Sequence, residues 1–326
     1  VAGVTVRWGV LSTARINDAF LAGVAESTRC DVLAVASRDG ERARGYARER
    51  GIERAYGSYE DLLADDDVDA VYVSLPNALH LDWARRALLA GKHVLCEKPL
   101  GRRAADVQAA FDLAASRRRL LMEAFMYRHN PQTARVVDLV STGAIGRLSL
   151  VRAAFSFPLT DAADVRLSAG LEGGALMDVG CYCVSAARLL AGEPVSVAGD
   201  QVTGGDGVDV AFVGSLRFPG DVLAHFDAGL SLANRHDLEV VGDEGSLYVA
   251  DPWHCRRPEI ELRRGGAIER IDCPVVSSYR LEADNLAAAI AGEAAPLLGR
   301  ADAVGQARAI EALYEAAGAH RTVEPA

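Results

Sequence analysis

A surplus of positive charge is missing: 35 Lys and Arg stand against 45 Asp and Glu, for a formal net charge of -10. A phosphate backbone needs a concentrated basic surface, and no basic stripe runs along the chain, so a nucleic-acid partner is not expected. Local clusters such as Arg117-Arg118-Arg119 and Arg256-Arg257 read as solvated helix ends or loops. Paired cysteine spacing is missing too. The six cysteines, including Cys181-x-Cys183, fit neither a zinc site nor a redox motif, so buried free thiols and no metal are expected. No uninterrupted apolar run approaches ~18 residues, and Val1 to Trp8 lacks the pattern of a signal peptide. The expectation is a soluble cytoplasmic protein with no membrane partner.

Apolar residues, in contrast, make up half of the 326. That length exceeds the roughly 250–300 residues at which single cores stop growing, so two domains sharing one active site are expected. The chain is best read outward from Val94-Leu95-Cys96-Glu97-Lys98-Pro99. His93 to Cys96 is a short apolar run that predicts a buried strand. Pro99 lacks an amide hydrogen and disfavours the helical region for Lys98, so the strand stops there. Glu97 and Lys98 would then emerge at the carboxyl end of the strand, the edge where open α/β sheets bind ligands. A solvated lysine ending a strand is the plainer alternative.

Glycine is also missing where a dinucleotide turn would use it. Val6 to Val10 predicts a strand and Ala14 to Val24 a helix with Ile16, Phe20 and Val24 on neighbouring turns. Between them, Ser12, Ala14 and Asn17 replace the glycines of G-x-G-x-x-G. Small residues still allow close approach to a pyrophosphate, and amides at the helix start offer an anion site whatever the side chains. Ser12, Thr13, Ala14, Arg15 and Ile16 are therefore the candidate pyrophosphate turn. A second strand, Val32 to Ala36, ends in Ser37-Arg38-Asp39, where the ribose reader is expected. A carboxylate directly after the strand would suit NAD; Ser37 and Arg38 offer a hydroxyl and a guanidinium, which suit the 2′-phosphate of NADP. A surface arginine opening a loop before the helix Glu41 to Arg50 is the competing reading, and NAD stays open.

Val68 to Ser74 predicts another strand, followed by Leu75-Pro76-Asn77 and a helix from about Ala78 to Leu89 that carries His80 in its first turn. These residues are ordinary turn formers that in a nucleotide site would face the nicotinamide ribose. Strand and helix alternate from Val6 to Glu123, which predicts a doubly wound parallel sheet over residues 1–123. From residue 124 to 326 the pattern changes. Helix Pro131 to Ser141 is followed by strand-like segments at Leu148 to Phe157, Val195 to Val202, Val208 to Phe218, Val222 to Ser231, Leu238 to Gly242 and Ile260 to Arg263. An α+β domain with a large, mostly antiparallel open sheet follows, with a C-terminal helix that can pack back on the first domain. In Gly173-Gly174-Ala175-Leu176-Met177-Asp178-Val179-Gly180-Cys181-Tyr182, Asp178 and Tyr182 share a face if a helix starts near Asp178. Asp178 as a helix cap and Tyr182 as a core residue is the alternative.

These motifs together resemble the Gfo/Idh/MocA family: the Ser12 to Ile16 turn, Leu75-Pro76-Asn77 with His80, Glu97-Lys98-Pro99, Glu123-Ala124-Phe125-Met126-Tyr127-Arg128, and Gly174 to Tyr182. The resemblance spans nearly the whole chain. It implies an NAD(P)-dependent oxidoreductase with a Rossmann domain and a sheet-rich domain whose open face forms homodimers or homotetramers. It places Lys98 at the catalytic lysine and Asp178 at the substrate-orienting acid. It puts Arg166 and Tyr279 where relatives contact cofactor or substrate. Many members carry His where this chain has Tyr182, whereas the branch of dihydrodiol dehydrogenase, xylose dehydrogenase and glucose-fructose oxidoreductase, which the chain resembles, carries Tyr.

The expected reaction is hydride transfer between nicotinamide C4 and a secondary alcohol or carbonyl carbon of a carbohydrate-like substrate. Tyr182 would be the general acid/base; a free phenol has a pKa of about 10, so it needs a nearby cation, the role of Lys98. Specificity is expected around Tyr127, His129, Phe155 to Arg166 and Asn234 to His236. Two rival functions remain at this stage. One is a redox-neutral glycosidase that keeps NAD bound; the other is a non-catalytic NADP-binding regulator, which would have no use for a proton-transfer set.

Overall fold

The structure is a computed structural model, and it describes residues 5–319; the outermost ends of the two expected domain ranges lie outside them. Two compact units emerge. The first holds the chain up to Gly101, Ala105–Met126 and Ser277–Ala303; the second holds Arg102–Ala104, Tyr127–Val276 and the chain from Val304 on.

In the first unit, β1 (Val6–Leu11), β2 (Cys30–Ala36), β3 (Arg54–Tyr56), β4 (Ala70–Val73), β5 (His93–Glu97) and β6 (Leu121–Ala124) form one sheet in the order β3-β2-β1-β4-β5-β6. Every ladder is parallel. Helices α1 (Asn17–Ala25), α2 (Gly40–Arg50), α3 (Tyr59–Leu63), α4 (His80–Leu89) and α5 (Ala104–Arg117) connect the strands. The doubly wound expectation is met, and the strand order reverses between β1 and β4, the crevice where such sheets bind ligands. The register fixes the site edge. Leu11 lies opposite Ala36 and Val73, and Val73 opposite Cys96, so Ser12, Ser37, Ser74 and Glu97 all follow at one edge. Both faces of the sheet are covered, which explains the near-continuous apolar strands. Trp8, Phe20 and Tyr72 form a buried stack, with ring centroids 5.3 Å and 4.1 Å apart.

After β6 the chain builds α6 (Pro131–Ser141), β7 (Leu148–Ser156), α7 (Cys181–Ala191), β8 (Ser196–Thr203), β9 (Asp209–Arg217), β10 (Leu223–Gly229), β11 (Arg235–Gly242), β12 (Ser246–Val249), β13 (Glu259–Arg264) and β14 (Ala267–Asp272). The eight-stranded sheet runs β14-β13-β12-β11-β7-β10-β9-β8. Only the β7–β10 ladder is parallel; the others are antiparallel, as the Gly-rich turns predict. Along β9 the inward Phe212, Gly214 and Leu216 alternate with the exposed Val213, Ser215 and Arg217. Helices α8 (Ser278–Ile290) and α9 (Arg300–Ala319) close the chain.

Strands β3, β6, β12 and β14 do not stand out in the sequence: each is six residues or fewer, and β14 is largely exposed, so no apolar alternation marks it. Helix α1 starts at Asn17 rather than Ala14, because Ala14 to Ile16 form the turn itself. None of the six cysteines is in a disulfide, and all six are buried. The helical stretch Ala169–Ala191 is long and apolar enough by composition to cross a membrane, yet 78% of its apolar window is buried inside the protein.

Candidate active site

Ser12 has φ 131°, a conformation that favours glycine, so the first position of the turn keeps a glycine-like backbone without the glycine. Its side chain is tied down. Ser12 Oγ donates to Ser74 O at 3.0 Å and accepts from Ala14 N at 3.1 Å, which joins the ends of β1 and β4. Asn17, buried at the start of α1, donates its Nδ2 to Ser12 O at 2.9 Å and so braces the same turn. Thr13, Ala14 and Ile16 are partly exposed and Arg15 is exposed, so the turn lies open at the sheet edge, while the first amides of α1, Asn17 to Ala19, donate to the carbonyls of Ala14, Arg15 and Ile16.

At the end of β2, Ser37 is buried and its Oγ accepts from Asp39 N at 3.3 Å. Asp39 caps α2: its Oδ1 accepts from Glu41 N and Arg42 N at 2.9 and 3.2 Å. Arg38 is exposed, and with Arg42 it sets positive charge beside the Tyr59 phenol, whose pKa burial pushes up and the two arginines pull back.

Leu75, Pro76 and Asn77 are half-buried at the end of β4. His80 is 1% exposed, and its Nδ1 and Nε2 lie 2.8 Å from Pro99 O and Leu75 O. The ring therefore straps the loop after β4 to the loop after β5. Burial is the main cause holding His80 down to about 4, and the nearby Lys98 charge acts in the same direction. Lys98 is half-buried at the carboxyl end of β5 and joins Pro99 through a cis bond. Around it, Glu97 accepts from the buried Tyr72 hydroxyl, and Glu123 Oε1 accepts from Leu100 N at 2.7 Å. Tyr279 opens α8, where Gly23 of α1 permits close contact: a Cβ on Gly23 would lie 2.8 Å from Tyr279 Cβ and 2.7 Å from Arg280 N.

In the second unit the glycine pair shapes the acid's surroundings. A Cβ on Gly173 would lie 2.3 Å from Arg166 O, and Gly174, at φ 123°, donates to Arg166 O at 2.9 Å. The Arg166 loop can thus lie against Gly173-Gly174. Asp209, buried in β9, then accepts from Leu176 N at 2.6 Å and from Tyr314 OH at 2.8 Å. It anchors a π-turn over Leu176–Gly180, a geometry frequent at functional sites. Asp178 sits in this turn and does not cap a helix. Its Oδ2 accepts from Arg166 Nε at 2.8 Å, while Arg166 also reaches Asp164 at 3.3 Å. Asp178 chiefly pushes the Arg166 guanidinium further up.

Tyr182, 8% exposed, begins the first turn of α7 inside an aromatic box. Its ring centroid lies 5.3 Å from Phe155, 5.7 Å from Tyr127 and 5.9 Å from Trp253. The box is pinned by hydrogen bonds: Tyr127 OH to Ser185 Oγ at 2.8 Å and Trp253 Nε1 to Ala154 O at 2.9 Å. Trp253, Asp209 and Ser185 were not legible as site residues, since none lies in a motif; a buried tryptophan carrying a polar N–H was the one available hint. The structure brings Asp178 together with Arg166, and Ser12 with the end of β4, in ways that spacing does not show.

Residues 6–125 match the family described as an oxidoreductase family with an NAD-binding Rossmann fold, and residues 133–248 match the GFO/IDH/MocA C-terminal domain. The chain is 39% identical over 324 residues to D-xylose 1-dehydrogenase (NADP(+)) 2 of Haloferax volcanii, across 97% of this chain and 99% of that one. It is also similar to the structure of an aldose-aldose oxidoreductase from Caulobacter crescentus complexed with glycerol. That likeness has 29% identity and a TM-score of 0.92, over 98% of this chain and 99% of the other. A 3-ketoreductase from Actinomadura kijaniata in complex with NADP and TDP-benzene is 33% identical with a TM-score of 0.89, over 96% and 98% of the two chains. A parallel sheet with the dinucleotide order, a second unit whose π-turn and helix carry the Asp178 and Tyr182 motif, and similarity along the full length make this chain a member of the Gfo/Idh/MocA family of oxidoreductases.

Proposed function

We propose that the protein is an NADP-dependent dehydrogenase or reductase acting on a secondary alcohol or carbonyl carbon of a sugar-like substrate. The observation that carries the reading is the sheet register, which ends β1, β2, β4 and β5 on one edge and so presents the Ser12 turn, Arg38 and Lys98 along it. The edge fits a dinucleotide. The Ser12 hydroxyl is held on β4, the exposed turn from Thr13 to Ile16 lies at the edge for a pyrophosphate, and the exposed Arg38 guanidinium takes the 2′-phosphate while Asp39 Oδ1 caps α2. In this reading residues 1–123 bind the dinucleotide, with Leu75 to Asn77 and Tyr279 as further contacts and His80 acting through the loops it straps. Residues 124–326 bind the substrate and form a homodimer or homotetramer through the outward sheet face, where Val202, Val213 and Leu223 are exposed. The enzyme works in the cytoplasm, with neither nucleic acid nor membrane as partner.

When bound, the nicotinamide accepts or supplies the hydride. Tyr182 Oη takes the hydroxyl proton in oxidation and returns it in reduction. The role proposed for the Lys98 ammonium is to stabilise the negative charge that develops on the substrate oxygen. Asp178, held by Arg166, accepts a hydrogen bond from a substrate hydroxyl. The aromatic box of Tyr127, Phe155 and Trp253 encloses the Tyr182 ring and keeps water from its sides. The Haloferax D-xylose dehydrogenase and the Caulobacter aldose-aldose oxidoreductase support a sugar or aldose substrate. The test is Tyr182→Phe. Turnover on an aldose panel should fall by about 10²–10⁴, the usual worth of general acid–base catalysis, while NADPH binding by fluorescence titration stays unchanged. Full activity in the variant would refute the role of Tyr182.

A further inference from the structure

Beyond the dehydrogenase chemistry, we propose that His236, Asp251 and His254 form a binding site for a divalent cation of the zinc class. No ligand spacing announces it in the sequence, and the hairpin register creates it. Leu238 pairs with Val249 in the β11–β12 ladder, so two residues further out His236 comes opposite Asp251. His254 then returns within the turn that follows. Its Nδ1 lies 3.1 Å from Asp251 Oδ1, which also accepts from His254 N at 3.3 Å. One potential ligand atom from each of the three residues lies within 4.8 Å of the others.

The donor chemistry fits a cation of this kind. Two imidazoles and a carboxylate are the three-ligand set of open tetrahedral zinc sites, whose ligand atoms sit ~3.3 Å apart for metal bonds of ~2.0–2.1 Å. Side-chain rotations of about an ångström would close the set. His236 Nδ1 is buried and has no hydrogen-bond partner, which is the condition of a nitrogen that lacks its ligand. The carboxylate is oriented before any ion arrives, since Asp251 Oδ2 accepts from Arg256 N at 3.3 Å. Phe155 backs both imidazoles, 4.9 Å from His236 and 5.6 Å from His254, and fixes their planes. The remaining coordination position faces a cavity of about 410 Å³ with Asn234, Tyr248 and Arg257 in its lining, where water or a substrate oxygen can enter. The Arg256 charge opposes the cation; Asp251 and Asp237 beside it act in the other direction.

The experiment is a calorimetric titration of the chelator-treated full-length chain with Zn²⁺, repeated with Co²⁺ while the visible absorption is followed. One equivalent should bind, with the intense visible bands of a four-coordinate cobalt site. His236→Ala and His254→Gln should each weaken Zn²⁺ at least tenfold, with NADPH binding as the check that the variants are folded. No binding to the wild type would overturn the site. So would unchanged affinity in His254→Gln, the partly exposed ligand whose loss leaves the core intact, because the ion would then sit elsewhere, on a cysteine for instance. The readout does not involve turnover, so failure of the dehydrogenase reading would leave this result standing, and the reverse holds as well.

Discussion

Glu282 should make the protein lose stability as pH rises, and Glu282→Gln should remove that loss. The residue lies on α8 with 0% exposure, and neither carboxylate oxygen has a hydrogen-bond partner. Burial first, and the charge of Glu97 second, push its carboxyl well above the usual value of 4.5. The folded protein therefore keeps a proton that the unfolded chain gives up once pH passes the ordinary glutamate range. Stability from this group is complete below that range and declines as pH climbs toward the folded value, at ~1.4 kcal/mol per pH unit for one proton. The decline runs through the whole window between the ordinary glutamate range and the raised folded value, and each pH unit of it is a sizeable part of the ~5–15 kcal/mol of a typical domain. Gln keeps the shape and a polar head but cannot ionise. The difference in urea-unfolding free energy between variant and wild type, followed by fluorescence of the buried Trp8 in the same unit, should rise in favour of the variant with that slope. Near pH 4 only a constant amide-for-acid offset should remain. Parallel curves from pH 5 to 8 would refute the reasoning, since Glu282 would then be ionised in the fold.

His80 should act in the opposite sense: with its folded value near 4 against an ordinary 6.5, it contributes stability above pH 6.5 that is lost as pH falls toward 4. That amounts to a few kcal/mol at most, and ring-nitrogen NMR should show a neutral tautomer at pH 6; an imidazolium would overturn this. Arg38→Ala should weaken NADPH by about ten- to a hundredfold, the worth of a charge-assisted contact, and leave NADH unchanged in a fluorescence titration. Gly23→Ala places a Cβ 2.7 Å from Arg280 N. Overpacking of ~1–3 kcal/mol should outweigh the ~1 kcal/mol helix gain of alanine and lower the urea midpoint.

Much of this was legible in the sequence. Alternating apolar runs and helical periods announce the parallel sheet, because local period and burial on both faces go together. Pro99 stops β5 by its own covalent geometry, which places Lys98 at a strand end whatever the rest of the chain does. The serine in the β1 turn was less readable. Its residue type argues against a nucleotide turn, and only the backbone at φ 131° with the bond to Ser74 shows how a serine keeps the shape. Asp178 shows a similar limit: its spacing from Tyr182 suggested a shared helix face, whereas Asp209 anchors a π-turn and Arg166 takes the carboxylate.

The sequence by itself determined the class of each unit, the place of Lys98, and the aromatic and acidic residues of the second half, because these follow from period, proline geometry and composition within a few neighbours. Tertiary structure alone decided which distant side chains share an environment. His236 faces Asp251 through a strand register, His80 bridges two loops, and Glu282 is sealed away from water beside Glu97. Pairing between strands and burial beneath a helix join residues remote in the chain, and no local pattern records a partner that folding has yet to bring near.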